Sequence, residues 1–241
     1  MQNGKHVICE KPLGVNPSEV AEMIAVAKAE NVFLMEGLWS RFNPSVQKAK
    51  QMVDSGEIGT ISYLHADFAF YALDRDESSR LLNPELACCS LLDIGIYPVF
   101  LAYLLLGKPA SIHANANFME NGTEIQTSMM LKYDGALAIL YSGLTSESKM
   151  EAEISGSKGG IFIHPRWHEA NGISVKKNNE SSNYDLPVKG NGFVPEIQEV
   201  HNCLKKKQVE SNLWSLKDSL ELNKLLFEIR TQIGASFPFE S

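Results

Sequence analysis

The sequence predicts two architectures in one chain. A short parallel α/β unit comes first, and an α+β domain follows, with a large, mostly antiparallel sheet flanked by helices. Three observations predict it. Residues 6–9 and 32–35 are short apolar runs, and between them lies a helix with a complete start signal. From residue 61 onward the apolar period drops to two, over residues 63–70, 111–119, 123–133 and 136–144. Asp134-Gly135 separates two of those alternating runs, a two-residue hairpin signal, and hairpins build antiparallel sheets.

Residues 6–9 read as a short buried strand that ends at Glu10-Lys11-Pro12. Asn16 then stands as a cap, Pro17 at the first helical position and Glu19 three residues after the cap. The helix over 17–30 puts Val20, Met23, Ile24 and Ala27 on one face, and residues 32–35 supply the next strand. Asn43 and Pro44 open another helix, which carries Val46, Ala49 and Val53 and closes at Gly56. Beyond the first alternating strand, residues 92–106 read as a helix, with Pro98 starting or kinking it. Strands at 152–155 and 161–164 flank Gly156-Ser157-Lys158-Gly159-Gly160, which reads as a hairpin turn because no helix follows to make it a phosphate loop. The stretch 178–183, Asn-Asn-Glu-Ser-Ser-Asn, reads as a flexible loop tip, and Gly190-Asn191-Gly192 as a mobile turn. Helices over 194–206 and 216–233 complete the chain, the second capped by Ser215 with Asp218 three residues on and ended by Gly234.

Composition excludes several classes. A net charge of −7 over 241 residues argues against a nucleic-acid surface, which needs a basic face. Lys205-Lys206-Lys207 is the one basic run and reads as a solvated helix end. Cys9, Cys88, Cys89 and Cys203 have neither metal nor disulfide-framework spacing, and the six histidines show no ligand spacing, so no metal is expected. No signal peptide is read, and the apolar runs are expected to fall short of a membrane span, which makes the cytoplasm the expected compartment.

The candidate chemistry starts from Lys11. In open α/β sheets the ligand crevice lies at the carboxyl ends of the strands, and Lys11 stands there with Pro12 fixing its backbone. Asp93 and Tyr97 are four apart, one face of a helix, so three polar groups converge if the helix over 92–106 packs across the mouth of the first strand. Bland readings stand beside these. Asp93 also reads as a plain helix cap, Tyr97 as a core tyrosine and Trp39 as a packed aromatic. Arg41 has a carboxylate, a diol or a backbone carbonyl as partner.

Three segments occur in order: Glu10-Lys11-Pro12, then Glu36-Gly37-Leu38-Trp39-Ser40-Arg41-Phe42, then Leu92-Asp93-Ile94-Gly95-Ile96-Tyr97-Pro98. With Glu196, His201, Cys203 and Gln232-Ile233-Gly234 near the end, they resemble the Gfo/Idh/MocA family of NAD(P)-dependent oxidoreductases. Within it the resemblance is to the branch of trans-dihydrodiol and D-xylose dehydrogenases. It implies hydride transfer to or from a secondary hydroxyl of a sugar or cyclic trans-diol, with NADP or NAD as cofactor. By resemblance Tyr97 is the acid/base, Lys11 the cation that stabilises its phenolate and Asp93 the orienter. Glu10, Lys11, Pro12, Trp39 and Arg41 fall at cofactor-binding positions, and an open sheet face forms a homodimer.

The resemblance also divides the chain. Residues 1–40 are expected to be an α/β remnant, the end of a Rossmann-type dinucleotide-binding sheet, and residues 41–241 the α+β substrate and dimerisation domain. No G-x-G-x-x-G occurs, and roughly ninety residues of the dinucleotide domain are expected to be absent. On that basis the chain alone is expected to bind dinucleotide poorly. The alternative reading is a non-catalytic, cofactor-free dimerisation or ligand-binding subunit. Two departures from the branch stand out: Leu86-Ala87-Cys88-Cys89-Ser90 where small glycines are usual, and Phe239 in place of a tyrosine.

Overall fold

A computed structural model describes residues 1–188 and 190–240. Its first unit is a two-stranded parallel sheet of β1 (Val7–Glu10) and β2 (Leu34–Gly37), joined by helix α1 (Pro17–Ala29). Asn16 caps α1 by accepting the Glu19 N–H at 3.0 Å, and the Glu19 carboxylate returns to the Val15 N–H at 2.9 Å. A small core of Leu13, Val20, Ala27, Val32 and Leu34 fills the unit, and Leu216 of the last helix joins it. β1 departs from the expected buried strand: Ile8 is 44% exposed and Glu10 is exposed, whereas β2 is buried throughout. With a single neighbour, β1 keeps one edge and one face open to water.

A tight 3-10 turn, Trp39–Phe42, leads to helix α2 (Pro44–Asp54), capped by the Asn43 side chain on the Ser45 N–H. The main body is an eight-stranded sheet: β3 (Ile61–Ala69), β4 (Ser111–Phe118), β5 (Glu124–Lys132), β6 (Leu137–Gly143), β7 (Ala152–Gly156), β8 (Gly159–Ile163), β9 (Gly172–Lys177) and β10 (Glu180–Asp185). Its order is β10-β9-β8-β7-β3-β6-β5-β4, and β3 with β6 is its one parallel pair. α2, helix α3 (Ile96–Leu106) and helix α5 (Leu216–Gln232) cover one face, while helix α4 (Val194–Lys205) packs on the Trp39–Phe42 turn. Ser215 and Asp218 form the full capping box of α5.

Both hairpins read from sequence form. Gly135 takes φ 78° between β5 and β6, and β7 and β8 turn at Ser157-Lys158. The loop expected at 178–183 is instead a third hairpin. Asn178 and Asn179 take φ 51° and 65°, the left-handed pair that a two-residue turn needs, and residues 180–185 continue as the edge strand β10. That strand reads Glu-Ser-Ser-Asn-Tyr-Asp, too polar to announce itself by alternation.

The expectation that every apolar run falls short of a membrane span is corrected. The 23-residue stretch Pro84–Leu106 has a mean hydropathy of 1.9 and is long and apolar enough by composition, yet 72% of it is buried inside the fold. It is a core segment in pieces: a 3-10 turn Pro84–Leu86, a π turn Leu91–Gly95, then α3 under the sheet. Pro98 is the third residue of α3, directly after the π turn, so it does not start the helix but removes an N–H from the join.

Candidate active site

β1 delivers Lys11 to the mouth of the small sheet, and a cis Lys11-Pro12 peptide follows it. The next segment is held by Glu36 at the end of β2, whose buried carboxyl accepts the Leu13 N–H at 2.9 Å and the Trp214 indole N–H at 3.0 Å. The π turn crosses that mouth and presents Asp93. Lys11 Nζ donates to Asp93 Oδ1 at 3.2 Å and to the Asp93 backbone carbonyl. Pro98, five residues on, has no N–H to bring to that carbonyl, and Lys11 takes it. Asp93 caps nothing, since the turn begins two residues earlier at Leu91. Arg80 Nη1 also reaches Asp93 Oδ1, at 2.9 Å. Burial pushes the Asp93 carboxyl up, but the charge of Lys11 and the hydrogen bond from Arg80 outweigh it and hold the group below its ordinary value.

Tyr97, one turn further, is buried, with its hydroxyl accepting the Trp39 indole N–H at 2.7 Å. Lys11 Nζ lies over the Tyr97 ring, 5.4 Å from its centroid. Burial pushes the phenol well above its ordinary pKa; the Trp39 hydrogen bond works downward, and the charges of Asp93, Glu10 and Glu196 work upward. The resting site therefore holds a neutral phenol.

Trp39 starts an aromatic wall that sequence reading missed. Its ring centroid lies 5.8 Å from His168 and 5.2 Å from Phe193, and Phe68 stacks on His168 at 4.1 Å and leans on Tyr97 at 5.5 Å. These side chains come from a turn, from β3, from the segment after β8 and from the approach to α4, so no local spacing could announce them. Gly192 has a readable reason: a Cβ there would fall 1.9 Å from the Trp39 ring.

A cavity of about 280 Å³ opens beside Lys11, lined by Pro12, Arg80, Ala87, Cys88 and Asp93. Ala87 takes φ 56°, a left-handed backbone position that favours glycine. Burial pushes the Cys88 thiol up to about 12, so it stands in the wall as a small apolar group. Glu10 is exposed at the end of β1. Arg41 is not brought to this cluster. Its Nε donates to the Leu213 carbonyl at 2.8 Å beside Tyr103 and Trp214, the backbone-carbonyl option among its three. Among the described residues no group of three or more His, Cys, Asp or Glu side chains could hold a metal.

The Lys11–Asp93 pair thus joins the end of β1 to the π turn beside the large sheet. Comparisons with known proteins give the family. Residues 1–38 match the oxidoreductase family's NAD-binding Rossmann fold, and residues 46–162 match the GFO/IDH/MocA C-terminal domain. Trans-1,2-dihydrobenzene-1,2-diol dehydrogenase of Xenopus tropicalis is 33% identical over 99% of this chain and 74% of its own length. Scyllo-inositol 2-dehydrogenase (NADP(+)) of Bacillus subtilis is 33% identical over the same shares. The crystal structure of aldose-aldose oxidoreductase from Caulobacter crescentus superimposes with a TM-score of 0.86 over 97% of this chain and 71% of that one, at 24% identity. The chain belongs to the Gfo/Idh/MocA family of NAD(P)-dependent oxidoreductases. Membership in an enzymatic family takes the place of the cofactor-free alternative.

The residues present fit the nicotinamide end of such a cofactor. The cavity beside Lys11 lies at the carboxyl end of β1, with Pro12 on one side and the Ala87-Cys88 backbone on the other.

Proposed function

We propose that this protein is a dehydrogenase that interconverts a secondary hydroxyl of a sugar or cyclic trans-diol with its ketone, using NADP or NAD. One observation carries this reading: the Tyr97 phenol, the Lys11 ammonium and the Asp93 carboxylate stand together at the end of β1. The named activities of the related diol and inositol dehydrogenases support the substrate class.

Lys11, Pro12, Ala87 and Cys88 would hold the nicotinamide, and the nicotinamide would supply or accept the hydride when bound. The remaining chemistry belongs to this chain. In reduction, Tyr97 gives its hydroxyl proton to the substrate oxygen as that oxygen gains charge. Lys11, already over the ring, stabilises the phenolate left behind, and Asp93 keeps the ammonium in place. Oxidation runs the same proton back to Tyr97. Trp39, Phe68, His168 and Phe193 form an apolar wall for the carbon face of a ring and keep water from the reacting oxygen. A homodimer through the open sheet face and a cytoplasmic setting belong to the same reading.

The test is a steady-state assay of the protein with each dinucleotide against a panel of sugars, inositols and cyclic diols. Tyr97→Phe should lower kcat by about 10² or more while cofactor affinity stays within about threefold. Wild-type turnover in that variant would remove Tyr97 from the mechanism.

A further inference from the structure

The proposed mechanism depends on where the π turn puts Asp93 and Tyr97; Cys89 takes the Leu92 and Asp93 N–H groups, and the Leu91 N–H needs an acceptor from elsewhere. Ser90, which precedes it, makes no side-chain cap to its N–H groups. The missing acceptor comes from the first residue of β5. Glu124 Oε2 accepts the Leu91 N–H at 2.8 Å. Its Oε1 accepts the Ser90 hydroxyl at 2.7 Å and the Thr127 hydroxyl at 2.7 Å. The Ser90 hydroxyl stands 3.0 Å from that of Ser142 on β6, and a Cβ added at Gly95 would fall 2.8 Å from the same Ser142 oxygen. The preceding residue, Thr123, donates its hydroxyl to the Leu82 carbonyl at 2.9 Å. Thr123 and Glu124, at the entry to β5, thus grip both ends of the 82–91 segment, which contributes Ala87 and Cys88 to the cavity beside Lys11.

Glu124 is 1% exposed. A carboxylate so deep in the fold costs several kcal/mol of desolvation, and an apolar side chain of similar size would fill the space without that cost. What an apolar side chain lacks is direction. Three donors converge on the carboxylate, and two of them, the Leu91 N–H and the Ser90 hydroxyl, belong to the root of the turn.

We propose that Glu124 is a positioning residue for the dehydrogenase reaction: by holding the Leu91 N–H and the Ser90 hydroxyl, it sets Asp93 on Lys11 and the Tyr97 hydroxyl on Trp39. The proposal rests on the roles given to Tyr97 and Asp93 above. Thr127 supplies the internal comparison, because its hydroxyl bonds the same carboxylate from within β5 and not the backbone of the turn.

The experiment compares Glu124→Gln with Thr127→Val in the full chain, by two readouts. The first is the indole N–H resonance of Trp39 in a ¹⁵N spectrum, assigned with Trp39→Phe; this group donates to Tyr97 and needs no cofactor to be seen. The second is the split between kcat and KM. In Glu124→Gln the indole resonance should move and its solvent exchange should quicken about tenfold, while kcat drops roughly 10²-fold with KM within about threefold. Thr127→Val should lose a comparable amount of thermal stability and leave both readouts near wild type. A wild-type indole signal in Glu124→Gln, or equal losses in the two variants, would overturn the positioning role. Should Glu124→Gln fail to fold, Ser90→Ala removes the other bond from the turn to the same carboxylate and should give a weaker form of the same signature; an unmoved indole signal there overturns the proposal. If the wild-type chain turns over no substrate, the functional reading fails, while the indole comparison still decides whether Glu124 places Tyr97.

Discussion

At the residue scale the site is governed by what burial does to ionisable groups. Burial holds Tyr97 as a neutral phenol and outweighs the one hydrogen bond from Trp39. A protonated phenol is the reactive form for reduction, and its pKa lies above the ordinary value, so the reduction rate should stay flat from neutral into mildly alkaline pH. The oxidation rate should climb with pH over that range, because it needs the phenolate; a pH profile of kcat in each direction checks both. Lys11→Met removes the ammonium over the Tyr97 ring and leaves Asp93 with Arg80 alone, so kcat should fall by about 10³. Rates near wild type in single-turnover measurements would place Lys11 outside the reaction. His168 obeys the same rule with the opposite sign. Burial and the charge of Arg166 push it down from 6.5 to about 3, with Trp39, Phe68, Tyr97 and Trp167 packed around the ring and Glu169 3.9 Å away. Below its ordinary value the unfolded chain takes a proton that the folded histidine refuses. Its contribution is therefore full above that pH and falls as pH drops toward the folded value. Melting curves between about pH 7 and about pH 4 should show a smaller acid-side loss of Tm in His168→Gln than in wild type.

At the element scale the sequence makes some features plain and hides others. The capped helices α1, α2 and α5 and the hairpin at Asp134-Gly135 are readable because their determinants are local: Asn16 with Glu19, Asn43 with Pro44, Ser215 with Asp218, and a glycine at positive φ. The edge hairpin β9–β10 is hidden, since its outer strand carries one apolar-bodied side chain, Tyr184, among five polar ones, and backbone pairing to β9 sets its course. The π turn is hidden as well. Nothing in Leu91–Gly95 specifies it; Glu124, more than thirty residues on, holds its first N–H. The meeting of Lys11 and Asp93 was readable, but the aromatic wall was not, because Phe68, His168 and Phe193 meet only after β3, β8 and α4 have docked. Gly192 is where that docking can be tested. Its Cα lies so close to Trp39 that Gly192→Ala must push either the ring or the entry to α4 aside. That variant should raise KM for the substrate by about tenfold and change tryptophan fluorescence while Tm moves by only a few degrees; unchanged KM would mean that Phe193 and Trp39 do not meet the substrate.

At the scale of the whole molecule, the helices on one face of the eight-stranded sheet leave the other face bare. Strand register makes the bare face a continuous patch: Tyr63 pairs with Leu137, and Met130 with Ile139, all pointing away from α3. Their exposures are 37%, 42%, 38% and 40%, high for large apolar side chains at the centre of a sheet. The aromatic wall, Lys11 and Glu124 face the helices, so covering the bare face with a second copy leaves the site untouched. A two-fold interface presents each substitution twice, so one glutamate at its centre brings two buried like charges into the same contact. Ile139→Glu should therefore convert a dimer to a monomer in light scattering at micromolar protein. It should keep kcat within about twofold of wild type, because Ile139 points away from the reacting groups. A wild-type protein that sediments as a monomer, or an Ile139→Glu variant that stays dimeric, would mean that the sheet face serves another partner. Loss of turnover on becoming a monomer would show instead that the second copy steadies the sheet from which β3 and β5 hold Phe68 and Glu124.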